Sequence, residues 1–216
     1  MRMAEKLTRF SNIITKGRYI FHFHTSITDG ENTLADYCDF AKTNEINSLI
    51  LTEHIRRNMS YDFDKLKEEA LKCKNKYNLE ILVGVETKAL PNGNIDINEE
   101  QLSEVDLLGI AIHSFPFEDH RIGETMVKIF QRYKELEIPK IWLHPTRSNY
   151  FKRNENKNEL LELLDSASTN GFFVERNIKD CLDCAFNQYI VTNYKYITGY
   201  DAHSVEELKR LLINNL

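Results

Sequence analysis

The chain has 216 residues, 42% of them hydrophobic, and its 28 basic and 33 acidic residues give a formal net charge of −5. This length favours one domain, 1–216, with a large core, and the acid excess argues against a surface built for nucleic acid. The longest apolar stretches are too short to span a membrane, and residues 1–18 lack the apolar segment of a secretory signal, so a cytoplasmic protein is expected.

Short apolar runs typical of buried β-strands recur about every 30 residues along the chain. Each run ends close to a histidine or an acid, and six of the seven histidines lie at these ends. The predicted strands, with their polar ends included, are 19–24, 48–54, 81–86, 107–113, 141–144, 172–175 and 196–203.

Apolar residues at helical spacing occupy most of the intervals between these strands. The predicted helices are 34–44, 62–77, 124–136, 160–167, a weaker one at the start of 178–193, and one opened by the capping-box sequence of Ser204 and Glu207. Strand and helix alternation implies a parallel sheet, and seven units with polar strand ends imply closure into a seven-stranded β/α barrel.

Two polar segments, 91–101 and 147–159, each follow a predicted strand. Because loops that leave the carboxyl ends of barrel strands lie on the functional face, both are expected to act as substrate loops or lids there. The four cysteines are expected to be reduced thiols. The role of the closely spaced Cys181 and Cys184 stays open, since no second pair accompanies them.

Histidines and acids at the ends of successive parallel strands converge at one mouth of a barrel. His22 and His24 are two residues apart, so a regular strand points both the same way, and Asp201 and His203 repeat that spacing. Asp29 lies in a turn-like sequence and is a further candidate. The predicted metal ligands are His22, His24, Asp29, His54, Glu86, His113, His144, Asp201 and His203.

Two other acids lie beside these ligands. Glu53 precedes His54 and faces the other side of a regular strand, so it is either a proton carrier or a carboxylate that supports a ligand. Together with Glu86 and Asp201, it is a candidate catalytic residue. Glu175 ends the sixth run and can be expected to bind a metal, to orient a ligand or to contact substrate.

The motifs, taken in order, resemble the polymerase and histidinol phosphatase (PHP) family. They are His-x-His at 22–24, Thr-Asp-Gly at 28–30, Thr-Glu-His at 52–54, Gly-Val-Glu at 84–86, His-Ser at 113–114, His-Pro at 144–145, Glu-x-Asn at 175–177 and Asp-Ala-His at 201–203. This resemblance covers 19–204 and implies a distorted seven-stranded β/α barrel that holds up to three divalent metals. The family includes histidinol-phosphate phosphatases, nucleotide and oligonucleotide hydrolases, and proofreading modules of bacterial replicative polymerases.

The resemblance also implies a division of the ligands among three metals. One metal would be bound by His22, His24, Glu86 and Asp201, a second by Glu86, His113 and His144, and a third by Asp29, His54 and His203. Two residues depart from the family pattern without removing a ligand. Glu53 stands where the family commonly has Asp, and Tyr200 stands where a small residue is common.

Two to three divalent ions, which we expect to be zinc, manganese or iron, would leave this site positive and attractive to phosphate. Four arginines follow strand ends closely and are candidate ligands of a substrate phosphate. They are Arg147, which is the first choice, and Arg56, Arg57 and Arg176.

We therefore predict a metal-dependent phosphoesterase in which a metal-bound hydroxide attacks a small phosphomonoester, such as a histidinol-phosphate-like metabolite. One alternative is a nucleotidase or 3'-5' exonuclease, for which Tyr150 and Phe151 could stack on bases. A second alternative is a non-catalytic metal-binding module. No membrane partner is expected, a nucleic-acid partner is not favoured, and the oligomeric state stays open.

Overall fold

The structure, a computed structural model, describes residues 3–58, 61–113, 121–153, 156–179 and 184–213. Within them, seven strands alternate with helices. The strands are β1 (Tyr19–Phe21), β2 (Ser48–Ile55), β3 (Glu80–Lys88), β4 (Leu107–Ala111), β5 (Lys140–Trp142), β6 (Phe173–Asn177) and β7 (Tyr196–Gly199). The helices are α1 (Met3–Lys16), α2 (Leu34–Thr43), α3 (Phe63–Tyr77), α4 (Glu99–Glu104), α5 (Ile122–Tyr133), α6 (Lys157–Thr169), α7 (Cys184–Asn193) and α8 (Val205–Ile213).

The strands form one parallel sheet in chain order, β1 to β7, as the sequence predicted. The sheet curls into a nearly closed barrel, because β1 and β7 meet just beyond their carboxyl ends. There, Phe23 bridges to Ala202, and the Tyr200 amide donates to the Phe21 carbonyl at 3.0 Å. The predicted seven-stranded β/α barrel is therefore confirmed.

Helix α1 was not predicted, and it covers the amino-terminal mouth of the barrel. Phe10 and Ile13 pack among the buried residues that point inward from the first halves of the strands, including Ile50 and Leu82. The Lys6 ammonium donates to the Val105 carbonyl at 2.6 Å, which ties α1 to the start of β4. This arrangement leaves the opposite mouth for the polar strand ends.

One other expectation needs correction. The helix predicted at the start of 178–193 lies instead over Cys184–Asn193. The segment 91–101 packs onto the rest of the molecule, because Ile95 and Ile97 are buried and the Thr125 hydroxyl of α5 donates to the Pro91 carbonyl at 3.2 Å. This hydrogen bond ties the start of the segment to α5.

The described cysteines agree with the expectation of reduced thiols, because Cys38 and Cys73 are buried and free. Cys181 and the side chain of Cys184 lie outside the described residues. In the described part of the chain, no helix combines the length and the apolar character that crossing a membrane requires.

Candidate metal centre

Three predicted ligands lie on segments that bend sharply just after a strand. His22, His144 and Asp201 have positive φ angles of 63°, 28° and 47°, and they follow β1, β5 and β7. Left-handed backbone is uncommon outside glycine, although His and Asp adopt it more often than most residues. Strain of this kind concentrates at functional sites, and here it turns three side chains toward the barrel axis.

Glu86 occupies the middle of the centre and is fully buried on β3. Its Oε1 lies 3.0 Å from Nε2 of His144 and also contacts Nε2 of His113. Its Oε2 lies 3.0 Å from Nε2 of His22 and 3.3 Å from Nε2 of His24. One carboxylate thus contacts imidazoles from both sides of the barrel.

Potential ligand atoms form three groups, within each of which all atoms lie within 4.8 Å of one another. The groups are His22, His24, Glu86 and Asp201; His24, Asp29, His54 and His203; and His54, Glu86 and His113. The first group is the one that the family resemblance implied. The other two groups differ from the implied sets. His24 joins Asp29, His54 and His203, and His54 takes the place beside Glu86 and His113 that was expected for His144. His144 contacts Glu86 but belongs to neither of these two groups.

The protonation of this centre follows from its burial and its mixed charges. Burial disfavours the charge on Glu86, but the neighbouring imidazoles outweigh it and hold the pKa of Glu86 well below its ordinary value. Burial likewise opposes a protonated His24, yet hydrogen bonds to Asp201 and Glu86 raise the pKa of His24 to about 9. Burial instead lowers the pKa of His54 to about 4. Protons on the imidazoles thus balance the negative charge of the carboxylates, and bound cations could replace these protons.

The residues present fit a set of divalent cations. The Nδ1 atoms of His24 and His54 are buried and have no hydrogen-bond partner among the described residues. Such atoms are costly unless something satisfies them. Because imidazole and carboxylate ligands suit zinc, iron and manganese, cations of this kind would satisfy both nitrogens.

The Asp29 side of the centre is the more open one. The Asp29 side chain is 49% exposed, and its Oδ2 lies 3.2 Å from Nε2 of His54 and 3.4 Å from Nε2 of His203. Gly30 fixes this turn, because a Cβ there would overlap the His24 carbonyl group, coming within 2.6 Å of its carbon. The sequence reading of Asp29 as a turn residue that also faces the ligands agrees with this geometry.

Glu53 faces away from the group around Glu86, as strand alternation predicted. Its Oε1 accepts from the Thr25 amide at 2.9 Å and from the Thr25 hydroxyl at 2.5 Å, and its Oε2 accepts from the Thr28 hydroxyl. Burial raises the pKa of the Glu53 carboxyl. These bonds hold the loop that carries Asp29, so the geometry favours a supporting role over proton transfer to substrate.

Glu175 lies under the centre, with 1% of its surface exposed. Its Oε1 lies 2.6 Å from Nδ1 of His22, and its Oε2 accepts from the His144 amide at 2.6 Å. Among the three roles considered for Glu175, orientation of ligands is the one that these contacts favour.

The four arginines have different surroundings. Arg147 Nη2 lies 2.5 Å from Asp201 Oδ2, at the edge of the centre. Arg56 donates to the Ile55 carbonyl at 2.6 Å, and Arg57 donates to the Ile95 carbonyl at 3.1 Å. Arg176 lies between two β6 residues that face the centre, so alternation puts its side chain on the opposite face, which does not favour the predicted phosphate contact.

Sequence reasoning missed Lys179, which follows β6 and has no motif that distinguishes it from a surface lysine. Its ammonium donates to the Asp201 carbonyl and lies 2.6 Å from Glu207 Oε1.

Phe151, proposed as a base-stacking residue, is fully buried against Trp142 at a ring-centroid distance of 6.3 Å. The Tyr150 hydroxyl donates to Glu159 Oε2 at 2.5 Å.

Known proteins are similar to this chain in sequence or in fold. The DNA polymerase/3'-5' exonuclease PolX of Bacillus subtilis is 24% identical over 199 residues, which covers 87% of this chain, and the chain spans only 34% of that relative's length. A two-domain protein of Bacteroides vulgatus with a predicted PHP-like metal-dependent phosphoesterase superposes with a TM-score of 0.51 and 17% identity, covering 88% of this chain and 53% of that one.

A histidinol phosphate phosphatase from Lactococcus lactis, solved with zinc, L-histidinol and phosphate, superposes with a TM-score of 0.63 and 14% identity. The match covers 91% of this chain and 93% of that one, and at this identity it establishes the fold alone. The family model of the PHP domain matches residues 20–207, a range that includes every predicted ligand and all seven strands except Tyr19 of β1. The chain therefore belongs to the PHP domain family.

Proposed function

We propose that the chain is a metal-dependent phosphoesterase that hydrolyses a small phosphomonoester. The observation that carries the proposal is the convergence on Glu86, whose buried carboxylate lies close to five imidazoles. His22, His24 and Asp201 complete the first group around it. This set of nitrogen and oxygen atoms suits two to three zinc, manganese or iron ions.

When bound, such ions would supply a hydroxide nucleophile and the charge that stabilises the phosphoryl oxygens. Asp29, Glu86 and Asp201 carry −3 together, so a centre with three divalent ions keeps a charge of about +3 and attracts phosphate. Arg147 has a side chain that is 30% exposed beside Asp201, where its guanidinium can also donate to a phosphate oxygen. Its proposed role is to bind and orient the substrate.

A small substrate is supported by the similarity in size and fold to the histidinol phosphate phosphatase, since the match covers nearly all of both chains. Hydrolysis of nucleotide ends is the second candidate, because the sequence relative from Bacillus subtilis carries a 3'-5' exonuclease activity in its name. The buried position of Phe151 removes one of the two aromatic residues that favoured base stacking.

The test is a substrate screen of the purified chain, reconstituted separately with zinc, manganese and iron(II). The panel contains histidinol phosphate, other phosphomonoesters, nucleoside monophosphates, phosphodiesters and single-stranded oligonucleotides. Glu86→Gln serves as the inactive variant. Glu68→Gln is the matched control, since its side chain is 69% exposed on α3. We expect phosphomonoester turnover by the wild type and by the control only.

The other outcomes would replace or refute the proposed function. Preferential release of nucleotides from oligonucleotide ends would replace the phosphomonoester proposal by the exonuclease. Tight metal binding without any turnover would favour a non-catalytic metal-binding module. Absence of metal binding under all three conditions would refute the metal-dependent proposal itself.

A further inference from the structure

We infer that Glu175 is a positioning residue, which holds two ligands of the proposed metal centre in their binding geometry. This inference rests on the proposed function, because it concerns the same centre. Glu175 is buried beneath the ligands and is not itself a member of any of the three groups of ligand atoms. Its effect would therefore pass through other residues.

The first contact sets the tautomer of His22. Glu175 Oε1 lies 2.6 Å from Nδ1 of His22, and an acceptor oxygen at this distance favours a proton on that nitrogen. A cation that displaced the proton from Nε2 would find the lone pair of His22 on that atom, which lies 3.0 Å from Glu86 Oε2 and 3.3 Å from Asp201 Oδ1. A carboxylate behind a histidine ligand commonly fixes ring orientation and raises ligand basicity in this way.

The second contact holds the backbone of His144. Glu175 Oε2 accepts from the His144 amide at 2.6 Å, at the residue where the chain adopts its left-handed bend with φ of 28°. The rings of His22 and His144 are stacked, with centroids 5.5 Å apart. One carboxylate from β6 thus couples a ligand after β1 to a ligand after β5.

The surrounding residues leave room for Glu175 in this position. Asn177 Nδ2 donates to Glu175 Oε1 at 3.2 Å. Gly199 pairs with Asn177 across β6 and β7, and a Cβ at Gly199 would overlap the Glu175 carboxylate, lying 2.7 Å from its Cδ. The atoms nearest that Cβ all belong to Glu175, which makes Gly199 a test of the position of this one side chain.

Glu175→Gln cannot preserve both contacts. An amide oxygen turned toward His22 leaves the amide nitrogen facing the His144 N–H, and the opposite orientation presents a donor to Nδ1 of His22 and favours the wrong tautomer. We expect cobalt(II) to bind the variant about ten- to a hundredfold more weakly, with an altered visible absorption spectrum. Glu80→Gln is the control, because Glu80 pairs with Arg9 at the far end of β3, and its cobalt binding should match the wild type.

A double-mutant cycle separates this role from general stabilisation. Gly199→Ala should weaken cobalt binding in the wild type but add less than about twofold in a Glu175→Ala background, because the overlapping atoms are then absent. Thermal melting of each metal-free variant verifies folding. Wild-type affinity and spectrum in Glu175→Gln, or an equal Gly199→Ala penalty in both backgrounds, would overturn the inference. Wild-type protein that binds no cobalt would instead overturn the proposed function, and the inference with it.

Discussion

Glu53 and Glu86 are both fully buried acids on neighbouring strands, and the same substitution separates their roles. Glu53→Gln and Glu86→Gln each remove one negative charge and nearly preserve the shape of the side chain. Glu53 accepts hydrogen bonds from Thr25 and Thr28, whereas Glu86 contacts imidazoles. We therefore expect the first change to affect stability and the second to affect metal binding and activity.

The cost of Glu53→Gln follows from its hydrogen bonds. The amide oxygen can still accept from the Thr25 amide and hydroxyl, but the bond from the Thr28 hydroxyl loses its charged acceptor. Weakening a hydrogen bond to a charged group in this way costs roughly 1–2 kcal/mol. At about 2–4 °C per kcal/mol for a domain of this size, Tm should fall by roughly 2–8 °C. The ions around Glu86 should remain bound.

The cost of Glu86→Gln falls on the bound state. The variant loses the one carboxylate that two of the three ligand groups share. Its amide also presents a donor to imidazoles that would otherwise bind metal. A loss of about 4 kcal/mol of transition-state stabilisation corresponds to about a thousandfold lower kcat/KM. Metal content should fall by at least one ion per chain.

Elemental analysis, steady-state kinetics and thermal melting of both variants, prepared in parallel, distinguish these outcomes. Equal activity losses at unchanged metal content would show that Glu53 takes part in the reaction and that the supporting role is wrong. Full metal content and near-normal kcat/KM in Glu86→Gln would refute the central place given to that carboxylate.

Three further predictions concern pH, substrate and loop geometry. Protonated His24, whose pKa is raised to about 9, stabilises the metal-free protein. This stabilisation is complete below pH 6.5, the ordinary pKa of histidine, and is lost as the pH rises through about 9. The Tm of metal-free protein should therefore fall by several degrees across that window, and the Tm of metal-loaded protein should not, because a cation replaces the proton. Arg147→Ala should lower kcat/KM about ten- to a hundredfold at unchanged metal content, as expected for one lost charged hydrogen bond; a parallel loss of metal would make it a support for the ligands. Gly30→Ala should remove metal from the Asp29 group, because its Cβ would overlap the His24 carbonyl group. Gly17→Ala is the control: its φ of 73° should lower Tm, but the open space around its Cβ should leave metal content unchanged.

The fold and the identity of the converging residues could be predicted because both depend on spacing along the chain. Apolar runs with polar ends every 30 residues or so define the strands, and parallel strands bring their ends to one mouth. Helix α1 escaped prediction because its buried residues, chiefly Phe10 and Ile13, are few among polar neighbours. Its place over the barrel mouth depends on contacts far away in sequence.

The details of the centre depend on distances that spacing alone does not contain. Strand alternation was sufficient to predict the orientation of Glu53, which faces away from Glu86 as expected. It was not sufficient for Glu175, because its two contacts join β6 to segments after β1 and β5. The prediction from strand alternation also placed His22 and Asp201 within strands, whereas both lie in left-handed bends beyond the strand ends.

These bends connect the proposed centre to closure of the barrel. The backbone hydrogen bonds between the first and last strand segments run from Tyr200 N to Phe21 O, from Ala202 N to His22 O and from His24 N to Ala202 O. The segments that carry the ligands are therefore the same segments that join the two edges of the sheet. Cations that bind only this closed arrangement would stabilise it through mass action. The strain at His22 is then offset twice, by the hydrogen bonds across the edges and by the ions that the bent backbone allows its ring to reach.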